Sequence, residues 1–333
     1  MRWYQSLIRP GLFLLSPDVA HDLAQAAFRW QTPWRLLGRK SRIRDSRLKR
    51  DLAGMTLDNP VGLAPGFDKN AVLVPSLDSL GFGYIVVGSV TRLPRQGNPR
   101  PRMARYPEQQ ALGNNLGLPS HGLEAVLKNL ASLPERQAKL IVSVTGFTAD
   151  ELIDVAAAVE PFADAVELGL VCPNTTETER MAELEIFTTV VEKVSASKRK
   201  PVFVRLPPHH DDSEWQRARA LLDVCLRTGV EGVSTNGRRR ISDKNLPTGS
   251  GSISGRATFA DALRIVSDVA DYTKGGLAIR ASGGIFTGQQ AAAMLAAGAT
   301  TVEVYTSLIY RGPLVSSLIN RELLATPILG AMI

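Results

Sequence analysis

The chain has 333 residues, 44% of them hydrophobic, with 28 glycines and a formal net charge of +7. This is enough for a full barrel core, as one large domain or two modest ones. Two cysteines, Cys172 and Cys225, exclude a disulfide framework and fit a reducing compartment, and four histidines without H-x-x-x-H spacing point to no metal site.

The excess charge suits either nucleic acid or an anionic membrane surface. Its local clusters, Arg39–Arg50, Arg92–Arg105 and Arg238–Arg240, carry no interleaved aromatic residues, which argues against a nucleic-acid groove. No apolar run reaches the length of a membrane span. The first ten residues do not read as a signal peptide, because Pro10 and Pro17 bracket only a short hydrophobic stretch.

Residues 1–45 form an amino-terminal extension of two predicted helices. Leu7, Ile8 and Leu12–Leu15 supply a short apolar helix, and Val19, Leu23, Ala26, Ala27 and Trp30 share one face of a second. With Arg2, Arg9, Arg29 and Arg35 at the flanks, the pair suits an interfacial amphipathic element, or equally a lid packed on the body of the protein.

Residues 46–333 alternate short β-rich runs with helical windows. The predicted strands are Pro60–Ala64, Tyr84–Gly88, Leu140–Val144, Ala165–Val171, Val202–Leu206, Gly232–Thr235, Leu277–Ala281 and Thr301–Tyr305. Helical windows such as Thr148–Val159, Glu179–Ser195, Glu214–Thr228, Phe259–Tyr272 and Gly288–Ala297 separate most of them. Eight strand–helix units predict an α/β fold, a (β/α)8 TIM barrel. A doubly wound sheet is the alternative, but no G-x-G-x-x-G opens a helix after the first strand.

In such a barrel the carboxyl ends of the strands carry the chemistry. The first leads into Leu63-Ala-Pro-Gly-Phe-Asp-Lys69, where Ala64 and Gly66 allow close backbone approach and Lys69 offsets negative charge. Ser89 follows the second strand, Arg205 ends the fifth, and Thr235 and Asn236 end the sixth. Asn114 can both donate to and accept from a heterocycle. Ser282-Gly-Gly284 and Val304-Tyr-Thr306 end the last two strands, where small residues before helix amino termini build a phosphate cradle. Together with Lys69 they argue for a flavin mononucleotide site. Cys172, in Glu167-Leu-Gly-Leu-Val-Cys-Pro-Asn-Thr175, reads on this segment alone as a small buried cysteine filling a turn; the rest of the chain reverses that and places it to take a proton from a bound substrate.

The ordered motifs Gly62–Lys69, Gly97-Asn-Pro-Arg-Pro-Arg102, Asn114-Asn-Leu-Gly117, Cys172-Pro-Asn-Thr175, Ser254-Gly-Arg256, Ser282-Gly-Gly284 and Val304-Tyr-Thr306 make the chain resemble the quinone-using class 2 dihydroorotate dehydrogenases over nearly its full length. The resemblance implies FMN, dihydroorotate as substrate, and a quinone acceptor reached through the amino-terminal helices. It also implies a peripheral position on the cytoplasmic side of the inner, or mitochondrial inner, membrane. It assigns catalysis to Cys172 and Thr175. Ala64, Gly66, Lys69, Ser89, Ser143, Arg205, Thr235, Gly255, Gly284, Tyr305 and Thr306 fall to the cofactor. Lys69, Asn114, Asn174 and Asn236 fall to the substrate, and His21 and Arg105 to the quinone tunnel.

Several positions depart from that pattern. Cys172 stands where class 2 members use serine, and cysteine is the base in the soluble class 1 enzymes. Gly169 replaces an orotate-binding asparagine, Gly237 a threonine beside the substrate, Leu118 a phenylalanine of the proton relay, Ser143 a flavin-side asparagine and Arg205 a lysine. A lost amide contact to a heterocycle costs about 1–3 kcal/mol. Two further readings therefore stand beside dihydroorotate oxidation: a flavin and quinone oxidoreductase for a different substrate, and a non-catalytic FMN-binding paralogue.

Overall fold

The computed structural model describes residues 3–39, 41–170, 181, 183–246 and 248–326. Eight parallel strands close into a barrel in sequence order: β1 (Val61–Leu63), β2 (Tyr84–Val90), β3 (Lys139–Val144), β4 (Ala165–Leu168), β5 (Val202–Arg205), β6 (Gly232–Asn236), β7 (Ala278–Ser282) and β8 (Thr301–Val304). Val304 of β8 pairs with Leu63 of β1, which completes the ring. All eight expected strands are present. The fourth ends at Leu168.

The strands are near-continuous apolar runs because both faces are covered, by helices outside and by opposing side chains inside. The outer helices include Ala149–Val159, Leu184–Ser197, Asp212–Thr228, Phe259–Thr273 and Gly288–Ala296. Three of these starts carry side-chain caps: Thr148 accepts from the amide of Glu151, Asp211 from that of Glu214, and Thr287 forms a reciprocal capping box with Gln290. Cys225 is buried in Asp212–Thr228, and burial pushes its thiol up to about 12, which makes it an inert core residue.

Two features lie outside the eight-unit reading. A hairpin, Arg50–Leu52 with Met55–Leu57, seals the amino-terminal end of the barrel by packing Leu52, Met55 and Leu57 against Tyr84, Ile141, Ala165 and Phe203. A four-stranded antiparallel sheet, ordered Arg239–Ser242, Ser250–Gly255, Ala111–Asn114 and Met103–Tyr106, lies over the opposite end.

The amino-terminal extension contains a π-helical turn (Tyr4–Ile8), α1 (Arg9–Leu14) and α2 (Pro17–Phe28). Beyond the two helices expected, it adds a third, α3 (Gln31–Arg39). The third forms because Trp34 stacks on Phe28 at 4.4 Å between ring centroids, and Phe28 in turn packs on Phe67 after β1. Further ties are Tyr4 OH donating to Ile309 O at 2.7 Å and Gln25 Nε2 donating to Phe67 O at 2.6 Å. Much of the apolar face is left in solvent: Leu14 is 89% exposed, Trp30 76% and Leu7 74%. No helix among the described residues is long and apolar enough to cross a membrane.

Candidate active site

The carboxyl ends of the strands open into one cavity roofed by the four-stranded sheet. Of the expected residues, Ala64, Gly66, Lys69, Ser89, Asn114, Arg205, Thr235, Asn236, Gly255, Gly284, Tyr305 and Thr306 all line it. Segments more than 200 residues apart in sequence are thus brought to one place by strand order alone.

The β7–β8 side is built from backbone and small side chains. A Cβ on Gly284 would stand 2.6 Å from the amide nitrogen of Phe259, and one on Gly255 would stand 2.4 Å from Gln110 O, so neither position tolerates a side chain. Thr306 Oγ1 lies 3.0 Å from Ser254 Oγ. No side chain caps the helix that starts at Thr306, so its first amides are open to an anion. Thr235 Oγ1 and Ser307 Oγ, both buried on the cavity wall, have no partner among the described residues.

Lys69 reaches across from the β1 end and donates to Gly66 O at 2.6 Å. Burial, with the charge of Arg102 as a second cause, pulls its ammonium down to about 8. Asn236 accepts from the backbone and side chain of Arg238, and its Nδ2 donates to Leu206 O at 3.4 Å. Asn114 Nδ2 faces Ser252 O at 3.5 Å. Ser143, expected at the cofactor, is fully buried behind the lining and is not part of it; its hydroxyl oxygen lies 3.2 Å from that of Ser89, which does line the cavity.

The dihydroorotate dehydrogenase family profile matches residues 47–326. The chain belongs to the dihydroorotate dehydrogenase family. It is 33% identical to a dihydroorotate dehydrogenase (quinone) of Chloroflexus aurantiacus, over 97% of this chain and 96% of that one. It is 32% identical to the protein of the same name from Methylococcus capsulatus, over 97% and 99% of the two chains. Among solved structures, the Eimeria tenella enzyme in complex with ferulenol superposes with a TM-score of 0.80 at 31% identity, covering 96% of this chain and 94% of that one.

Against the family pattern, three expected residues, Cys172, Asn174 and Thr175, lie outside the described residues. His21 and Arg105 stand apart from the cavity wall, between the amino-terminal helices and the barrel. The His21 ring packs edge-on against Phe67, and burial lowers its pKa to about 3. Arg105 lies 4.1 Å over the Phe13 ring and donates to Phe13 O at 3.1 Å. Gly237 is closed to a threonine here, since a Cβ would meet Thr258 O at 2.5 Å and the Ala262 amide at 2.6 Å.

Sequence reasoning missed the acids beneath the site. Glu167, Arg280 and Glu303 are buried inside the barrel, with Arg280 bridging the two carboxylates. Burial works to raise Glu167, but Arg205 and Arg280 outweigh it and hold the carboxyl at about 2. The available signal was a charged residue at an inward position in each of three apolar strands, which is rare without a partner.

Proposed function

We propose that this chain oxidises dihydroorotate to orotate with bound FMN and passes the electrons to a quinone, as a step of pyrimidine biosynthesis. The observation that carries the reading is a strand-end cavity in which a half-buried lysine, two asparagines and a glycine-walled cradle suited to an anion meet. The unpartnered hydroxyls of Thr235 and Ser307, and the uncapped helix start at Thr306, suit a phosphorylated planar group on the β7–β8 side. Gly255, Gly284, Tyr305 and Thr306 would hold the phosphate, and Ala64, Gly66, Ser89, Ser143, Arg205 and Thr235 the ring system.

When bound, FMN would supply the two-electron acceptor for the hydride at C6 of the substrate and the donor for the quinone. Lys69 neutralises the substrate carboxylate, and Asn114, Asn174 and Asn236 orient the pyrimidine ring through paired donors and acceptors. Cys172, aided by Thr175, takes the proton from C5. A thiol serves here because its ordinary pKa lies far nearer neutrality than that of a serine hydroxyl.

The extension, residues 1–45, ends close to where the family match begins, and it would present His21 to the quinone, with Arg105 of the roofing sheet beside Phe13. The solvent-facing Leu7, Leu14 and Trp30 support a peripheral seat on a membrane surface, whose cytoplasmic side is what the family resemblance implies. Replacing Cys172 tests the assignment. Cys172→Ala should retain one FMN per chain while flavin bleaching by dihydroorotate slows about 10²-fold or more. Unchanged bleaching would return Cys172 to a packing role, and a colourless protein that FMN cannot reconstitute would overturn the cofactor.

A further inference from the structure

The β3–β5 wall of the cavity is built differently from the rest. Arg205 leaves the end of β5 and commits Nη2 to the Ser143 hydroxyl at 2.9 Å and to the Glu167 carboxylate. Glu167 is fixed in turn by Ser234 Oγ at 2.7 Å and Arg280 Nη2 at 3.0 Å. Arg280 bonds Glu303 through Nε at 2.9 Å, and Tyr84 OH donates to Glu303 at 3.2 Å. Two carboxylates and two guanidinium groups thus balance one another inside the barrel, and the network clamps one edge of the Arg205 guanidinium.

The other edge faces Gly169. A Cβ there would lie 3.8 Å from Arg205 Nη1, 3.8 Å from Ser143 Oγ and 3.2 Å from Val144 O. Val144 O already accepts from the Gly169 amide at 2.8 Å. Gly169 and Arg205 both line the cavity, so the missing side chain opens this bay of the cavity toward Arg205 Nη1. Among the described residues the charged group nearest to it is that guanidinium, which donates and never accepts.

We propose that Gly169 and Arg205 form a specificity subsite that admits a carbonyl or carboxylate oxygen of the bound ring and turns away a ring N–H. An amide at position 169 would offer both a donor and an acceptor. Without it, the charged group facing the bay is a clamped guanidinium that can only donate, while Val144 O is already engaged by the Gly169 amide. A ring presenting N–H there would leave both donors unpaired away from water, and sites of this kind discriminate strongly. The proposal rests on the reading of a ring bound at the strand ends and deepens it by fixing which edge of the ring faces β4 and β5.

The test titrates the full-length, flavin-loaded protein with orotate and with benzoate, a ring of similar size that keeps the carboxylate but has no ring carbonyl, following flavin absorbance. In Arg205→Gln shown to hold one FMN per chain, since Arg205 also faces the flavin ring, the ratio of orotate to benzoate affinity should fall about tenfold or more. Gly169→Asn keeps the Arg205–Glu167 pair, fills the bay and should give the same pattern, so it decides the matter if Arg205→Gln does not fold. Equal losses for both probes, or no loss for orotate in Gly169→Asn, would overturn the subsite. If the unmodified protein does not bind orotate, the dihydroorotate reading fails. The subsite is then judged with 2,2-dimethylcyclohexane-1,3-dione, which cannot enolise between its carbonyls and whose oxygens only accept: it must bind and must lose about tenfold or more in both variants. Failure of the dione to bind, or to respond to the substitutions, would overturn the subsite too.

Discussion

The two sides of the cavity reach the same end by opposite means. On the β7–β8 side the wall is backbone, and its shape is enforced by contacts such as the 2.6 Å that would separate a Gly284 Cβ from the Phe259 amide. On the β3–β5 side the wall is long side chains, and its shape is enforced by ion pairs that run from Arg205 through Glu167 to Arg280. A backbone wall resists change because any added atom collides. A side-chain wall can be rebuilt residue by residue as long as its charges balance.

Breaking the balance should give the largest effect. Glu167→Gln leaves Arg205 and Arg280 facing a neutral amide, with only Glu303 to offset them, and should lower stability by about 3–5 kcal/mol in urea unfolding. A loss under about 1 kcal/mol would show that solvent already reaches the network. The backbone wall should respond less in stability and more in cofactor retention. Gly284→Ala forces a methyl against Phe259 at a positive φ of 67° and should cost about 1–3 kcal/mol while FMN is lost on gel filtration. Full retention of FMN would separate Gly284 from the cradle.

A smaller effect follows from Lys69. Its ammonium is held down to about 8 in the ligand-free protein, so the charge is present below that pH and fades above it. Affinity for the orotate monoanion should be flat below pH 8. Above it, affinity should fall by up to about tenfold per pH unit until the complex reaches its own higher pKa. Stability has the opposite sign. Between about pH 8 and the ordinary lysine value the unfolded chain holds a proton that the folded chain has released, so stability rises with pH across that window. Lys69→Met should flatten both profiles.

How much of this was legible in the sequence follows the same division. The eight strands announced themselves because each is an apolar run of β-formers, and the glycine-rich tips because tight backbone approach leaves a local signature at Gly283-Gly284 and Gly66. The roofing sheet did not, since strands such as Arg239–Ser242 and Met103–Tyr106 have no apolar run and alternate weakly. The third amino-terminal helix depends on Trp34 finding Phe28, a tertiary contact. The Glu167–Arg280 pair joins residues 113 apart in sequence, and no local window relates them. Gly169 reads as a lost contact in the sequence; only the folded chain shows Arg205 Nη1 beside the vacated position.

The most direct test of the central claim is anaerobic mixing of the purified, flavin-loaded protein with dihydroorotate while flavin absorbance is followed. Substrate-dependent bleaching, with colour restored by a soluble quinone, is the expected result. A flavin that stays fully oxidised in excess dihydroorotate, yet bleaches with a chemical reductant, would contradict dihydroorotate oxidation by this chain.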